Sequence, residues 1–266
     1  MRGRFHWTRR GLAKKILILG GTTEARQLAG KLAERGDVSV TLSLAGRTES
    51  PVAQGVPTRS GGFGGAEGLA VYLREEQISL LIDATHPYAA NISRNAGEAA
   101  RLAGIPILAL RRPAWEPAEG DRWTLVADAA EAVKAVGPEP RKVFLALGRQ
   151  EIAEFASAPR HSYVIRSVDP VEPPLDVPDA TYILARGPFA ETDELELLKK
   201  HRIDAIVAKN SGGSATYSKI AAARKLGIEV ILFSRPALPD MPAAASVPEL
   251  LTKVDHWLEP AEKRGV

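Results

Sequence analysis

Two short runs in this chain have residue types and spacing suited to chemistry. The first, Gly20-Gly21-Thr22-Thr23-Glu24, follows an apolar run and opens a helical pattern. The leading N–H groups of a helix lack internal partners and carry the positive end of its dipole, so such a turn takes a phosphate or a carboxylate. Gly20 and Gly21 admit close approach to the backbone, and the hydroxyls of Thr22 and Thr23 either cap the helix or donate to a ligand oxygen. Glu24 would repel a pyrophosphate, so it either accepts from a ribose hydroxyl or stabilises the helix end. The second run, Lys209-Asn210-Ser211-Gly212-Gly213, repeats the design of strand end, glycine turn and helix start. Arg149, Arg166 and Arg186 stand near other strand ends of the same half, a set suited to holding carboxylates or phosphates.

A third candidate is His86, in Asp83-Ala-Thr-His-Pro-Tyr, at the carboxyl end of a strand. Open α/β sheets keep their ligands there, and Asp83 is assigned to the cofactor side. His86 donates a proton or hydrogen bond near neutral pH, or Thr85 or His86 caps a helix begun by Pro87. Metal chemistry is not expected. Cysteine is absent, and the five histidines show neither H-x-H nor H-E-x-x-H spacing.

These residues need a scaffold, and the hydrophobic pattern supplies one. Ile16–Leu19 reads as a buried strand and 38–44 as a second, whose tip carries Arg47 and Thr48 and no acid. An acid at that tip would accept from a ribose 2′-OH, whereas an arginine accommodates a 2′-phosphate, so a nicotinamide cofactor here would be NADP(H). The full G-x-G-x-x-G fingerprint is missing because no third glycine follows. A strand at 56–60, the loop GGFGG at 61–65, a helix at 66–76, a strand at 79–83, a helix to Gly104 and a strand at 106–110 follow. Arg111-Arg112-Pro113 closes this series, and Arg111 is assigned to the substrate.

The second half echoes the first. AARLAGIPILALRRP at 99–113 and AARKLGIEVILFSRP at 222–236 share A-A-R, G-I and R-P at identical spacing, and Leu147-Gly148-Arg149 stands where the opening glycine turn stands. Shifting by the same 123 residues sets Lys209 opposite His86. The expected fold is therefore α/β, with two Rossmann-like domains, parallel sheets flanked by helices and an active-site cleft between them. The expected boundaries are a basic extension at 1–14, a first domain at 15–138 and a second at 141–266, divided at Gly137-Pro138-Glu139-Pro140.

Composition narrows the partners. With 266 residues, 45% hydrophobic and 25% charged, the chain has the balance of a soluble protein and length enough for two domains. A net charge of +3 leans towards an acidic small molecule without indicating nucleic acid. No apolar run is long enough to span a bilayer, and the basic start lacks a cleavage site, so a cytoplasmic protein is expected.

Taken together, ILILGGTTEARQLA, AGRT, IDATHPYA, LRRPAW, ALGRQE, ARGPF, VAKNSGG and AARKLG, in this order from Lys15 to the last helix, resemble the precorrin-6A reductase family of cobalamin biosynthesis, also called precorrin-6x reductase. The resemblance implies a cytoplasmic NADPH-dependent enzyme. It would reduce one double bond of the precorrin-6A macrocycle, an acidic tetrapyrrole, to give precorrin-6B, with hydride delivered to carbon C19. It further implies NADPH along the first domain at Gly20–Thr23 and Arg47, and the substrate's acid groups on Arg111, Gly148, Arg149, Arg166, Arg186 and Asn210–Gly213. The proton would come from His86, Lys209 or solvent. Transient contact with neighbouring pathway enzymes is a further expectation. Two alternatives stand beside this one: a reductase of cobalt-precorrin-6A or another acidic metabolite, and a non-catalytic two-domain ligand-binding protein.

Overall fold

An apolar run without polar alternation needs cover on both faces. The first strand, β1 (Lys14–Leu19), obtains it: Ile16 and Ile18 pack in one buried cluster, and Leu17 and Leu19 in another. The computed structural model describes residues 13–46 and 55–259. It divides the chain into two units, Met1–Arg111 with Leu238–Val266, and Arg112–Ala237.

In the first unit β1 leads into α1 (Thr23–Ala33), whose start is fixed by Thr22: its hydroxyl accepts from the Ala25 N–H at 3.1 Å. Then come β2 (Val38–Leu44), β3 (Thr58–Ser60), α2 (Gly65–Glu75), β4 (Leu80–Asp83), α3 (Ala90–Ala103) and β5 (Ile107–Leu110). The second unit holds β6 (Trp123–Val126), α4 (Ala129–Val136), β7 (Lys142–Ala146), α5 (Arg149–Ala153), β8 (Ser162–Ser167), β9 (Ala180–Leu184), α6 (Glu191–Lys200), β10 (Ala205–Lys209), α7 (Ser218–Leu226) and β11 (Glu229–Phe233). The chain then returns to the first unit with β12 (Ala243–Ala244) and α8 (Val247–Leu258), the latter capped by the Ser246 hydroxyl.

Both sheets are parallel, in the orders β12-β5-β4-β1-β2-β3 and β6-β11-β10-β7-β8-β9. Read from the other edge, the first is the doubly wound order 3-2-1-4-5-6; the second keeps the same 3-2-1-4-5 arrangement in β7 to β11, but its sixth place is taken by β6, which precedes the other five in the chain. This order puts loops with ligand-binding chemistry at the carboxyl ends of the central strands. The two copies of the sequence repeat close their helices alike, with Gly104 and Gly227 as left-handed caps at φ 69° and 65°. Expectation and structure agree on two parallel α/β sheets flanked by helices.

Three expectations are corrected. Gly137-Pro138-Glu139-Pro140 joins α4 to β7 inside the second unit, because β6 pairs with β11 and carries α4 with it. The C-terminal segment, expected in the second domain, belongs to the first, because β12 pairs with β5. Helix α3 begins at Ala90 and not at Pro87; Thr85 bonds to Asp83, so it is not available as a cap. Of the expected basic extension, residues 1–12 lie outside the described residues and Lys14 opens β1. No helix among the described residues is long and apolar enough to cross a membrane.

Candidate active site

In the first unit the strand register places Arg59, Ser43, Leu19, Asp83 and Ala109 on one rung across the sheet, just before the strands end. Gly20 is the next residue after that rung. Its N–H donates to the Ser43 carbonyl at 2.9 Å, and a Cβ there would stand 2.6 Å from Leu42 Cδ1, so glycine lets the turn lie this close to β2 without displacing the Leu42 side chain. Gly21, by contrast, opens onto space, with nothing within 4 Å of the Cβ it lacks. Thr22 spends its hydroxyl internally, capping α1 and donating to the Ala84 carbonyl at 3.0 Å, which ties the glycine turn to the loop after β4. Glu24 occupies the first turn of α1, and Thr23 opens that helix. Arg47 and Thr48 lie outside the described residues.

Asp83 has no exposed surface, and its Oδ1 accepts from the Thr85 N–H (3.1 Å) and hydroxyl (2.6 Å). Arg111 Nη2 meets Oδ2 at 2.5 Å and reaches Ser93 Oγ at 3.3 Å. Burial pushes the Asp83 carboxyl up, but the Arg111 guanidinium and the hydroxyls of Ser93 and Thr85 outweigh it and hold it below the usual range. The sequence assigns Asp83 to the cofactor and Arg111 to the substrate. The structure instead pairs them with each other, as a buried post beneath the Thr85–Tyr88 loop. On that loop His86 is half-buried, and its Nδ1 accepts from the Tyr88 N–H at 3.3 Å, so the neutral ring carries its proton on Nε2.

In the second unit, Lys209 ends β10 and Gly148 precedes α5 after the neighbouring β7. Lys209 Nζ lies 2.6 Å from Glu151 Oε1, and a Cβ on Gly148 would meet Glu151 Oε2 at 2.6 Å and Lys209 Nζ at 3.9 Å. Gly148 and Lys209 are thus brought together, with exposed Arg149 next in the chain; Glu151, which the sequence reading missed, stands among them. Its one signal was its place in ALGRQE.

The Asn210–Gly213 turn is held from within. Asn210 is 8% exposed and bonds both backbone groups of Trp115, accepting at 2.8 Å and donating at 2.9 Å. Trp115 Nε1 donates to the Gly213 carbonyl, and Arg112 Nε to that of Ser211. Arg235, the repeat partner of Arg112, donates to the carbonyls of Asn210, Arg112 and Pro113. Gly212 sits at φ +66° with the Pro113 oxygen 2.0 Å from where a Cβ would be, so the close approach requires glycine. Asn210, expected at the substrate, is in this structure the clasp joining LRRPAW to AKNSGG. Arg186 is exposed beyond the end of β9.

Arg166, likewise expected at the substrate, is buried. Its side chain is 7% exposed, it pairs with Glu194 at 2.7 Å and it stacks 3.7 Å from the Phe189 centroid, so its charge is spent inside the unit. Near it, buried Lys219 donates to the Thr216 carbonyl at 2.7 Å. Burial lowers the Lys219 ammonium to about 7, Arg166 adding to the fall and Glu194 opposing it. Against an ordinary value of 10.5, the folded chain binds fewer protons than the unfolded one between about pH 7 and 10.5. Stability of the wild type relative to Lys219→Met is expected to rise with pH across that window, by up to about 1.4 kcal/mol per unit. Urea titrations at several pH values check this; a gap that does not move with pH would show that Lys219 titrates alike in both states.

Among the described residues no group of three or more His, Cys, Asp or Glu is placed to hold a metal ion. Compared with known proteins, residues 15–255 match the family model described as Precorrin-6x reductase CbiJ/CobK. A precorrin-6A reductase from Sinorhizobium sp is 60% identical over 247 residues, 93% of this chain and 95% of the relative. One from Rhodobacter capsulatus is 48% identical over 254 residues, 95% of this chain and 99% of the relative. A solved structure, CobK precorrin-6A reductase, superposes with a TM-score of 0.89 at 46% identity and covers 95% of this chain and 100% of its own.

Proposed function

Since the chain belongs to the precorrin-6x reductase family, we propose that it reduces the precorrin-6A macrocycle to precorrin-6B in cobalamin biosynthesis, with NADPH as reductant and C19 as the carbon that receives hydride. The observation that carries this reading is that the family match runs through both the Gly20–Thr23 turn and the Lys209–Gly213 turn. The first of these suits a dinucleotide: a parallel-strand end, a tight glycine contact on β2, open space at Gly21 and a helix start. Bound there, NADPH supplies two electrons as hydride, chemistry that no side chain of this protein offers.

The chain's own residues have the remaining work. Gly20–Thr23 hold the pyrophosphate on the dipole of α1, with Glu24 on a ribose hydroxyl and Arg47 on the 2′-phosphate. Arg149, Arg186 and the Ser211–Gly213 backbone hold acid groups of the macrocycle. After hydride arrives, the neighbouring carbon needs a proton. His86 Nε2–H is one donor, its orientation fixed by the Tyr88 N–H, and Lys209 is the other, with Glu151 beside it to take up charge.

The test is anaerobic oxidation of NADPH followed optically with precorrin-6A, with its cobalt complex and with no macrocycle. NADPH consumption only when precorrin-6A is present is the expected result. Equal turnover of the cobalt complex would widen the substrate, and consumption of NADH in place of NADPH would overturn the cofactor.

A further inference from the structure

The GGFGG loop has no part in the reading above, yet it is built closely around one side chain. Arg59, on the edge strand β3, donates from Nη1 to the Gly61 carbonyl and to Ser43 Oγ, both at 2.9 Å, and from Nη2 to the Gly62 carbonyl at 3.1 Å. Its guanidinium lies 3.8 Å from the Phe63 centroid and 5.4 Å from that of Tyr72, and these two rings pack edge to face. The loop is pressed onto α2 as well: a Cβ on Gly68 would fall 1.8 Å from the Phe63 carbonyl oxygen. The close packing thus rests on Gly68 of α2, while Gly61, Gly62 and Gly64 of the loop have open space where a Cβ would stand.

Three observations give Arg59 a ligand. It has no carboxylate partner among the described residues, unlike Arg35, Arg101, Arg111, Arg141, Arg166 and Arg224, so its charge is not neutralised by the fold. Of its five N–H groups, Nε–H and one Nη2–H make no bond to a described residue. And it occupies the rung of Leu19, two strands away and so on the order of 10 Å from the glycine turn, next to the tip of β2. In the doubly wound order, the 2′ position of an adenosine ribose lies at that tip.

We propose that Arg59 is a specificity residue for the 2′-phosphate of the nucleotide, held ready by Phe63, Ser43 and the glycine carbonyls. This rests on the NADPH reading. An arginine whose plane is already stacked and clamped loses little freedom on meeting a phosphate, and its two remaining N–H groups offer charge-assisted bonds.

The experiment compares wild type with Arg59→Gln and Arg59→Lys. Calorimetry measures binding of adenosine 2′,5′-bisphosphate and of 5′-AMP, and kinetics give KM for NADPH and for NADH with precorrin-6A. Arg59→Gln is expected to weaken the bisphosphate about tenfold or more and to leave 5′-AMP within about threefold, collapsing the NADPH preference through KM. Arg59→Lys keeps the charge without the clamp and should fall between. Equal loss for both nucleotides, or no loss for either, overturns the assignment and leaves Arg59 a loop clamp. Wild type that neither binds the bisphosphate nor oxidises NADPH would instead sink the cofactor reading itself. Should Arg59→Gln not fold, Arg59→Lys carries the comparison, since its NADPH preference must drop if the planar fork reads the phosphate.

Discussion

Replacing Arg111 by alanine is expected to destabilise the first unit by about 3 kcal/mol or more, because it leaves the Asp83 carboxylate with no exposed surface and no counter-charge. Removing one partner of a buried pair costs more than removing both, so the double variant with Asp83→Asn should recover part of the loss. The pH dependence gives a second readout. With Arg111 present the Asp83 carboxyl is held below 3.8, so its contribution is in place above that value and fades as pH falls through the folded pKa. Without Arg111, burial is opposed by the Ser93 and Thr85 hydrogen bonds with no guanidinium beside them, and the carboxyl rises. The gap between wild type and Arg111→Ala should therefore be widest near neutrality and narrow towards pH 4, as protonation removes the stranded charge. Urea titrations across this range measure it, and a gap independent of pH would show that Asp83 is not the cause.

The largest effect on activity is expected at the proton donor. A positioned general acid contributes on the order of 10²–10⁴ in rate. His86→Ala or Lys209→Ala is expected to lower kcat by roughly 100-fold if its side chain delivers the proton. The two differ in what they leave behind. Lys209→Ala strands Glu151, and if the acidic side chains of the substrate bind here as proposed, the added negative charge should raise its KM for the macrocycle too. His86→Ala removes a ring that accepts from the Tyr88 N–H and leaves no carboxylate exposed in its place, and KM should move little. Unchanged turnover in both variants would remove these residues from the chemistry and leave solvent as the donor.

What the sequence made legible follows from the range of the interactions involved. The turn from β1 to α1 is local: an apolar run, two glycines and a capping threonine specify it within nine residues, and the structure has it where the pattern puts it. β6 and β12 escaped because four residues and two residues carry no periodicity, and each is a strand only by virtue of its neighbour in the sheet. The same limit hid the partners of charged groups. Asp83 and Arg111 are 28 residues apart, and each looked free to meet a ligand; only the adjacency of β4 and β5 reveals that they meet each other. Arg166 misled for the same reason, since nothing near it in the chain announces Glu194. Arg59 was passed over in the opposite sense, as one basic residue before a glycine-rich loop, although its whole surroundings turned out to be arranged around it.

The return of the chain to its first sheet also sets an order of manufacture. The Arg112–Ala237 unit is continuous, so all of its strands have left the ribosome once Ala237 has emerged, whereas the unit begun at the amino end waits for the final segment. Until then β5 presents a bare edge. When β12 arrives, Ala109 donates to the Pro242 carbonyl and Arg111 to that of Ala244, so the strand that closes the edge also secures the backbone of the residue neutralising Asp83. Loss of the last thirty or so residues would thus fall on the unit begun at the far end of the sequence and spare its nearer neighbour. The half translated first is the half finished last.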